Sequence, residues 1–242
     1  MNMKRLILIF LRNFYVLPYY YVKLMYYSIS KSYAKKYNEE ESFQFIRRIT
    51  KRANWGGRVN VDVEGVENLP KENGYVMFPN HQGLYDVLTI LEVHPHPFTV
   101  VMKKELMKIP LLKNIFLTLR AVEIDREDIK QSMAVIIEMS KQVKQGRNFV
   151  IFAEGTRSRD GNKLLEFKGG SFKGAVKAKC PIVPVALLDS YKVFDTDSIE
   201  PVTVKLRYLK PLYYEDYKDM KTVEIAQYVK EQIEAKIKEV EG

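Results

Sequence analysis

Short runs rich in Val, Ile, Phe and Tyr recur along this chain, with stretches of helical character between them. The runs are VNVDVEG at 59–65, YVMFPN at 75–80, FTVVMK at 98–103, AVEID at 121–125, NFVIFAE at 148–154, IVPVALL at 182–188 and VTVKLRYL at 202–209. Helical spacing of apolar residues marks 84–93, 128–146, 171–179 and 223–240, and also 39–54, where Phe43, Phe45, Ile46 and Ile49 fall near one face. FVIF and IVPVAL are apolar without a period of two, as strands covered on both faces are. The alternation predicts an α/β fold, a single mixed β-sheet flanked by helices on both sides. No internal repeat, low-complexity linker or later boundary interrupts it, so residues 56–242 read as one domain and residues 1–55 as a helical arm.

Charge is unevenly placed. Residues 1–37 contain Lys4, Arg5, Arg12, Lys23, Lys31, Lys35 and Lys36 with no Asp or Glu, so most of the formal +9 lies there and the body is nearly neutral. The same arm is apolar, with LILIFL at 6–11 and NFYVLPYYYVKLMYY at 13–27, and it holds half of the 16 tyrosines. A secretory leader fits poorly, because the apolar run stops at Arg12 and no small-residue cleavage site follows. A full span fits poorly too. Pro18 divides the stretch, and a helix over 3–17 reaches about 22 Å against a hydrocarbon core of about 30 Å. Interfacial insertion suits tyrosine rings at headgroup level and basic side chains that snorkel, each adding about 1 kcal/mol toward anionic lipid. The alternative is an amphipathic helix packed on its own domain. A nucleic-acid arm is a weaker reading, since LILIFL has no role on a phosphate backbone. The expectation is a monotopic anchor to membrane lipids, with no nucleic-acid partner.

Several chemistries are excluded. One cysteine, Cys180, allows no internal disulfide and no Cys-rich zinc site, and no metal site is expected. GGSFKG at 169–174 has Lys173 where a nucleophile elbow needs glycine, and Ala175 follows Gly174 where a nucleotide-cradling loop needs lysine. Cys180 reads as core, and His94 and His96 in HPHP read as loop.

Three places could carry chemistry. His81 and Asp86 follow the strand YVMFPN, where α/β folds place reactive groups. Residues five apart on one regular helix point about 140° apart, so His81 belongs on the loop before the helix, with Gly83 permitting the turn and Asp86 reaching back. A carboxylate on one ring nitrogen leaves the other to take a proton, although a purely structural pair is equally consistent with this spacing alone. FAEGTRSRDG at 152–161 offers Gly155 and Thr156 as donors and Arg157 as a fork for phosphate, with Glu154 able to accept from a hydroxyl or orient an arginine. Arg126, just past AVEID, could meet the same anion, and Lys103, Lys104 and Lys168 are further cations near strand ends.

Taken together, NHQGLYD at 80–86, IDR at 124–126, FAEGTRS at 152–158 and IVPVAL at 182–187 resemble, in order and spacing, the four blocks of the glycerolipid acyltransferase family. Two of the blocks depart from that pattern. Arg120 and Glu123 stand where the family carries glycine and phenylalanine, and Ala153 stands where it carries proline. The resemblance implies transfer of a fatty acyl group from acyl-CoA or acyl carrier protein to the free hydroxyl of 1-acyl-glycerol-3-phosphate, without a resident cofactor. It implies His81 as base held by Asp86, and Arg126, Glu154, Gly155, Thr156 and Arg157 about the acceptor phosphate. Pro184 would shape the sheet edge of the site. The site would work at the cytoplasmic face of the membrane. Glycerol-3-phosphate or another lysophospholipid remains open as acceptor, as does a non-catalytic lipid-binding module.

Overall fold

In a computed structural model, which describes residues 2–30, 38–125 and 128–242, three helices precede the sheet: α1 (Met3–Asn13), α2 (Leu17–Ser30) and α3 (Glu39–Gly57). There follow β1 (Val59–Glu64), β2 (Val76–Pro79), α4 (Asp86–Val93), β3 (Phe98–Lys103), α5 (Pro110–Thr118), β4 (Val122–Ile124), α6 (Ile129–Lys144) and β5 (Asn148–Val150). The chain closes with α7 (Lys173–Ala178), β6 (Ile182–Leu188), α8 (Tyr191–Phe194), β7 (Val202–Tyr208), α9 (Tyr214–Tyr217) and α10 (Thr222–Glu241).

The strands form one sheet in the order β1-β7-β6-β2-β5-β3-β4. β6 and β7 run antiparallel, and the other neighbours pair in parallel. β6, β2, β5, β3 and β4 therefore share one carboxyl edge, and His81, Asp86, Glu154, Gly155, Thr156 and Arg157 lie on segments that leave it.

Side chains of the central strands alternate between two cores. Val76 and Phe78 of β2 join Ile182, Ala186 and Leu188 of β6 beneath α6, α7 and α10, while Met77, Val183, Val185 and Leu187 face α2, α3 and α4. Both faces are thus covered, which is why these strands are apolar throughout. α10 buries Ile225, Val229, Ile233 and Ile237, one every four residues, as one helical stripe. Phe78 stacks on Phe172 at 4.0 Å; burying a side chain of this size contributes about 2–3 kcal/mol.

Three local expectations need correction. β5 ends at Val150, not at Glu154, because the chain must turn to bring Glu154 inward. α5 occupies a stretch where no element was expected, and it starts at Pro110, which fits a first helical turn. His94 is core, not loop: it is fully buried, with Nε2 2.9 Å from the Tyr75 hydroxyl and Nδ1 2.9 Å from the Tyr208 hydroxyl. Burial, with the charges of His96 and Arg47 behind it, pushes its pKa down to about 3. Cys180 is buried as expected, and burial raises its thiol to about 12.

The arm is packed on the body along one face. α3 buries Phe43, Phe45 and Ile46 in the core beneath the sheet. Arg5, expected among the exposed basic residues, is fully buried. Its guanidinium donates to the carbonyl oxygens of Gly57 at 2.5 Å and of Ser198 and Glu200 at 2.8 Å. Asn2 donates from its backbone to Phe194 O at 2.6 Å and from its side chain to Ser198 O at 2.6 Å. α1 approaches α3 so closely at Gly56 that a side-chain carbon there would collide with Asn13 and lie 3.3 Å from the Ile9 Cα. Lys31, Lys35 and Lys36 lie outside the described residues. The opposite face of α1 and α2 exposes Phe10, Leu11, Phe14, Tyr19, Val22 and Tyr26. Pro18 sits in the first turn of α2, so the two helices are separate. Among the described residues, no helix is long and apolar enough to cross a membrane.

Candidate active site

β2 delivers the first element of the site. Asn80, just beyond the strand, bonds the backbone of Leu187 in both directions, donating to its O at 2.9 Å and accepting from its N at 2.7 Å. The chain then turns through His81, Gln82 and Gly83 before α4 starts at Asp86. Asp86 folds back over this turn. Its Oδ2 lies 2.7 Å from His81 Nδ1 and accepts from the Gln82 amide at 2.7 Å, while the Gly83 amide sits 3.1 Å from both carboxylate oxygens. Asp86 is fully buried, and the His81 ring is 22% exposed. Nε2 is then the ring nitrogen available to accept a proton. Phe152 stacks on the imidazole at 4.2 Å and fixes its plane.

The segment after β5 supplies the second element. Glu154 was expected beside the substrate, but both its oxygens are committed to the backbone. Oε1 accepts from His81 N at 2.6 Å and Oε2 from Leu165 N at 2.9 Å. Burial raises its pKa from about 4.5 to about 7, against the pull of those two amides and of His81. Ser158 N donates to His81 O at 2.9 Å, closing a second strap between the two segments. Gly155 has φ +77°, a left-handed turn conformation suited to glycine.

Of the remaining expected residues, Thr156 is exposed and Arg157 half-buried, with Nη1 4.0 Å from Asp195 Oδ1. Lys168 is exposed, and its backbone N donates to Ala153 O at 3.0 Å, beside the same loop. Lys103 ends β3, and Lys104 forms an ion pair with Asp125. Arg126 lies outside the described residues. Pro184 does not border the site: it is buried mid-strand in β6, opposite Phe78 of β2, inside the sheet.

Sequence reading passed over Ser190 and Gln82. Ser190 is fully buried and donates from its hydroxyl to Asp86 Oδ1. Its backbone N donates to Gln82 Oε1 at 3.0 Å. One signal was available: Ser190 comes two residues after β6, as His81 comes two residues after the parallel neighbour β2, and carboxyl ends of adjacent parallel strands converge on one site.

The family model described as Acyltransferase matches residues 60–188. The 1-acyl-sn-glycerol-3-phosphate acyltransferase of Borreliella burgdorferi is 31% identical over 153 residues, covering 63% of this chain and 61% of that one. The protein of the same name from Helicobacter pylori is 31% identical over 150 residues, 58% of this chain and 63% of its own. The chain thus spans less than two thirds of the length of these two relatives. The crystal structure of the 1-acyl-sn-glycerophosphate acyltransferase from Thermotoga maritima superposes with a TM-score of 0.77 at 26% identity, covering 100% of this chain and 98% of that one. With the family model matching more than half its length, from the second residue of β1 to the last of β6, the chain belongs to the acyltransferase family.

Proposed function

We propose that this chain transfers a fatty acyl group from an acyl thioester to the free hydroxyl of 1-acyl-glycerol-3-phosphate, forming phosphatidate. The observation that carries the reading is the buried Asp86 carboxylate 2.7 Å from His81 Nδ1, with the ring partly open to solvent. His81 Nε2 takes the hydroxyl proton as that oxygen attacks the thioester carbonyl. The C–S bond then breaks, and the departing thiolate recovers the proton from the imidazolium. The acyl group passes directly, with no acyl-enzyme and no resident cofactor or metal. Asp86 holds the ring and stabilises its cationic form. Arg126, Thr156, Arg157 and the Gly155 turn receive the acceptor phosphate, and Glu154 shapes that site through the backbone. Lys103, Lys104 and Lys168 offer positive charge to the acidic donor, acyl-CoA or acyl carrier protein.

The exposed apolar face of α1 and α2 supports interfacial anchoring, with Arg12 over Trp55 at 5.1 Å and Lys23 over Tyr19 at 5.6 Å as snorkelling cations. We place the enzyme at the cytoplasmic leaflet, where thioester donors are dissolved and lysophosphatidate is embedded. Thiol release from acyl-CoA and from acyl carrier protein, measured with lysophosphatidate, glycerol-3-phosphate and other lysolipids in turn, tests the reading. Release that requires lysophosphatidate supports it. Release with glycerol-3-phosphate instead moves the acceptor, and liposome binding with no release under any pairing leaves a lipid-binding module.

A further inference from the structure

We propose that Ser190 is a positioning residue of the acyl-transfer site, acting through Asp86 on His81; this rests on the acyl-transfer reading of that site. Asp86 Oδ2 is taken by the His81 ring and the Gln82 amide, while Oδ1 has the Gly83 amide at 3.1 Å, shared with Oδ2, and the Ser190 hydroxyl. Among the described residues, Ser190 is thus the side chain other than His81 that bonds this carboxylate. A carboxylate held at one oxygen can swing about its Cβ–Cγ bond; held at both, it presents Oδ2 to the imidazole in one orientation.

The hydroxyl has one hydrogen and two acceptors in reach, since Gln82 Oε1 lies 2.9 Å away. The carboxylate wins it, being charged, and the Gln82 carbonyl already accepts from Ser190 N. That arrangement sets the direction of the bond. It also ties the Ser190 segment to the turn that carries His81. Gln82 Nε2 continues the link to Asn162 Oδ1 at 2.7 Å, which accepts from Asp189 N at 2.9 Å. The segment is fastened at its far end by α1, through Asn2 N to Phe194 O. Ser190 is fully buried, so water does not compete for the carboxylate.

The test compares Ser190→Ala and Ser190→Cys with wild type in the full-length protein. Cysteine keeps the size and offers a weaker donor, so it serves even where alanine folds poorly. The expected order of kcat is Ser, Cys, Ala, with alanine down about tenfold to thirtyfold and the lysophosphatidate KM within about twofold. Melting temperatures of the variants should not follow that order. The second readout needs no turnover: the proton on His81 Nδ1, assigned by its loss in His81→Ala, gives a downfield nuclear magnetic resonance signal. It should broaden in the same order as the ring gains freedom. Equal kcat in all three proteins with an unchanged ring signal overturns the proposal, as does a loss that appears in KM or tracks melting temperature. A wild-type protein that releases no thiol removes the acyl-transfer reading, and the ring signal then decides whether Ser190 orders the pair.

Discussion

The Glu154 carboxylate closes on the backbone amide of His81 at 2.6 Å, so the two segments that carry the site's chemistry are one hydrogen-bonded unit. A charged residue in a loop near a phosphate site invites assignment to substrate. Here it is 2% exposed and acts on the shape of the turn. Glu154→Ala leaves the partly buried amides of His81 and Leu165 without this acceptor, at about 1 kcal/mol each. Its expected result is a lower melting temperature and a drop in kcat of at least tenfold, read by calorimetry and by thiol release.

The raised pKa of Glu154 has a definite sign in pH-dependent stability. Below about 4.5 the side chain is protonated whether folded or unfolded, and burial costs it little. Between about 4.5 and about 7 the folded state retains a proton that the unfolded state has released, so stability falls as pH rises through this window. Glu154→Gln cannot ionise and removes this dependence. The melting-temperature advantage of wild type over Glu154→Gln should therefore shrink as pH rises from 4.5 to 7. A constant difference would mean that Glu154 ionises in its ordinary range.

Arg157 offers a planar fork, half-buried and only loosely engaged with Asp195 at 4.0 Å. Arg157→Ala should raise the lysophosphatidate KM by about tenfold to a hundredfold with a much smaller change in kcat, and Arg157→Lys should recover part of the loss. Initial rates across acceptor concentration decide it; an unchanged KM clears Arg157 of phosphate binding.

On the arm, the two faces of α1 separate anchoring from folding. Replacing both exposed Phe10 and Phe14 with serine should weaken co-sedimentation with anionic liposomes by about tenfold or more, leaving the melting curve nearly unchanged. Arg5→Met removes hydrogen bonds to three carbonyl groups and should lower the melting temperature, because Gly57 O and Glu200 O each lose the Arg5 donor while Ser198 O keeps only Asn2. Liposome binding that survives the serine pair would move the membrane contact elsewhere on the protein.

Arg120 occupies the position at which the resembling family carries glycine, and its φ is +49°. The backbone there lies in the left-handed region that favours glycine. Arg120→Gly should be more stable than Arg120→Ala by about 1 kcal/mol in denaturant unfolding, the comparison isolating the backbone from the side chain.

The strands were legible because runs rich in β-branched and aromatic residues recur between helical stretches, and each of the seven runs contains one strand, the unbroken apolar ones lying where both faces are covered. The His81–Asp86 turn was legible because five-residue spacing after a strand admits a loop-to-helix geometry. Residues whose roles come from distant partners were not. His94 sits in a proline-rich stretch that looks like loop, and Tyr75 and Tyr208, which make it core, are remote in sequence. Arg5 reads as one more cation of a basic arm; the carbonyls that bury it lie in Gly57, Ser198 and Glu200. Ser190 gains a role only once β6 is seen beside β2. Glu154 announced its charge, and only the fold shows which amides it serves.

His81 is the group proposed to move the proton in acyl transfer. Full-length wild type and His81→Ala, each with acyl thioester and lysophosphatidate in mixed micelles, should be compared for free thiol and phosphatidate together. Wild type should form both in equal amounts, and His81→Ala should be slower by about a hundredfold to ten-thousandfold with a native melting curve. A His81→Ala protein that turns over within twofold of wild type would contradict the mechanism.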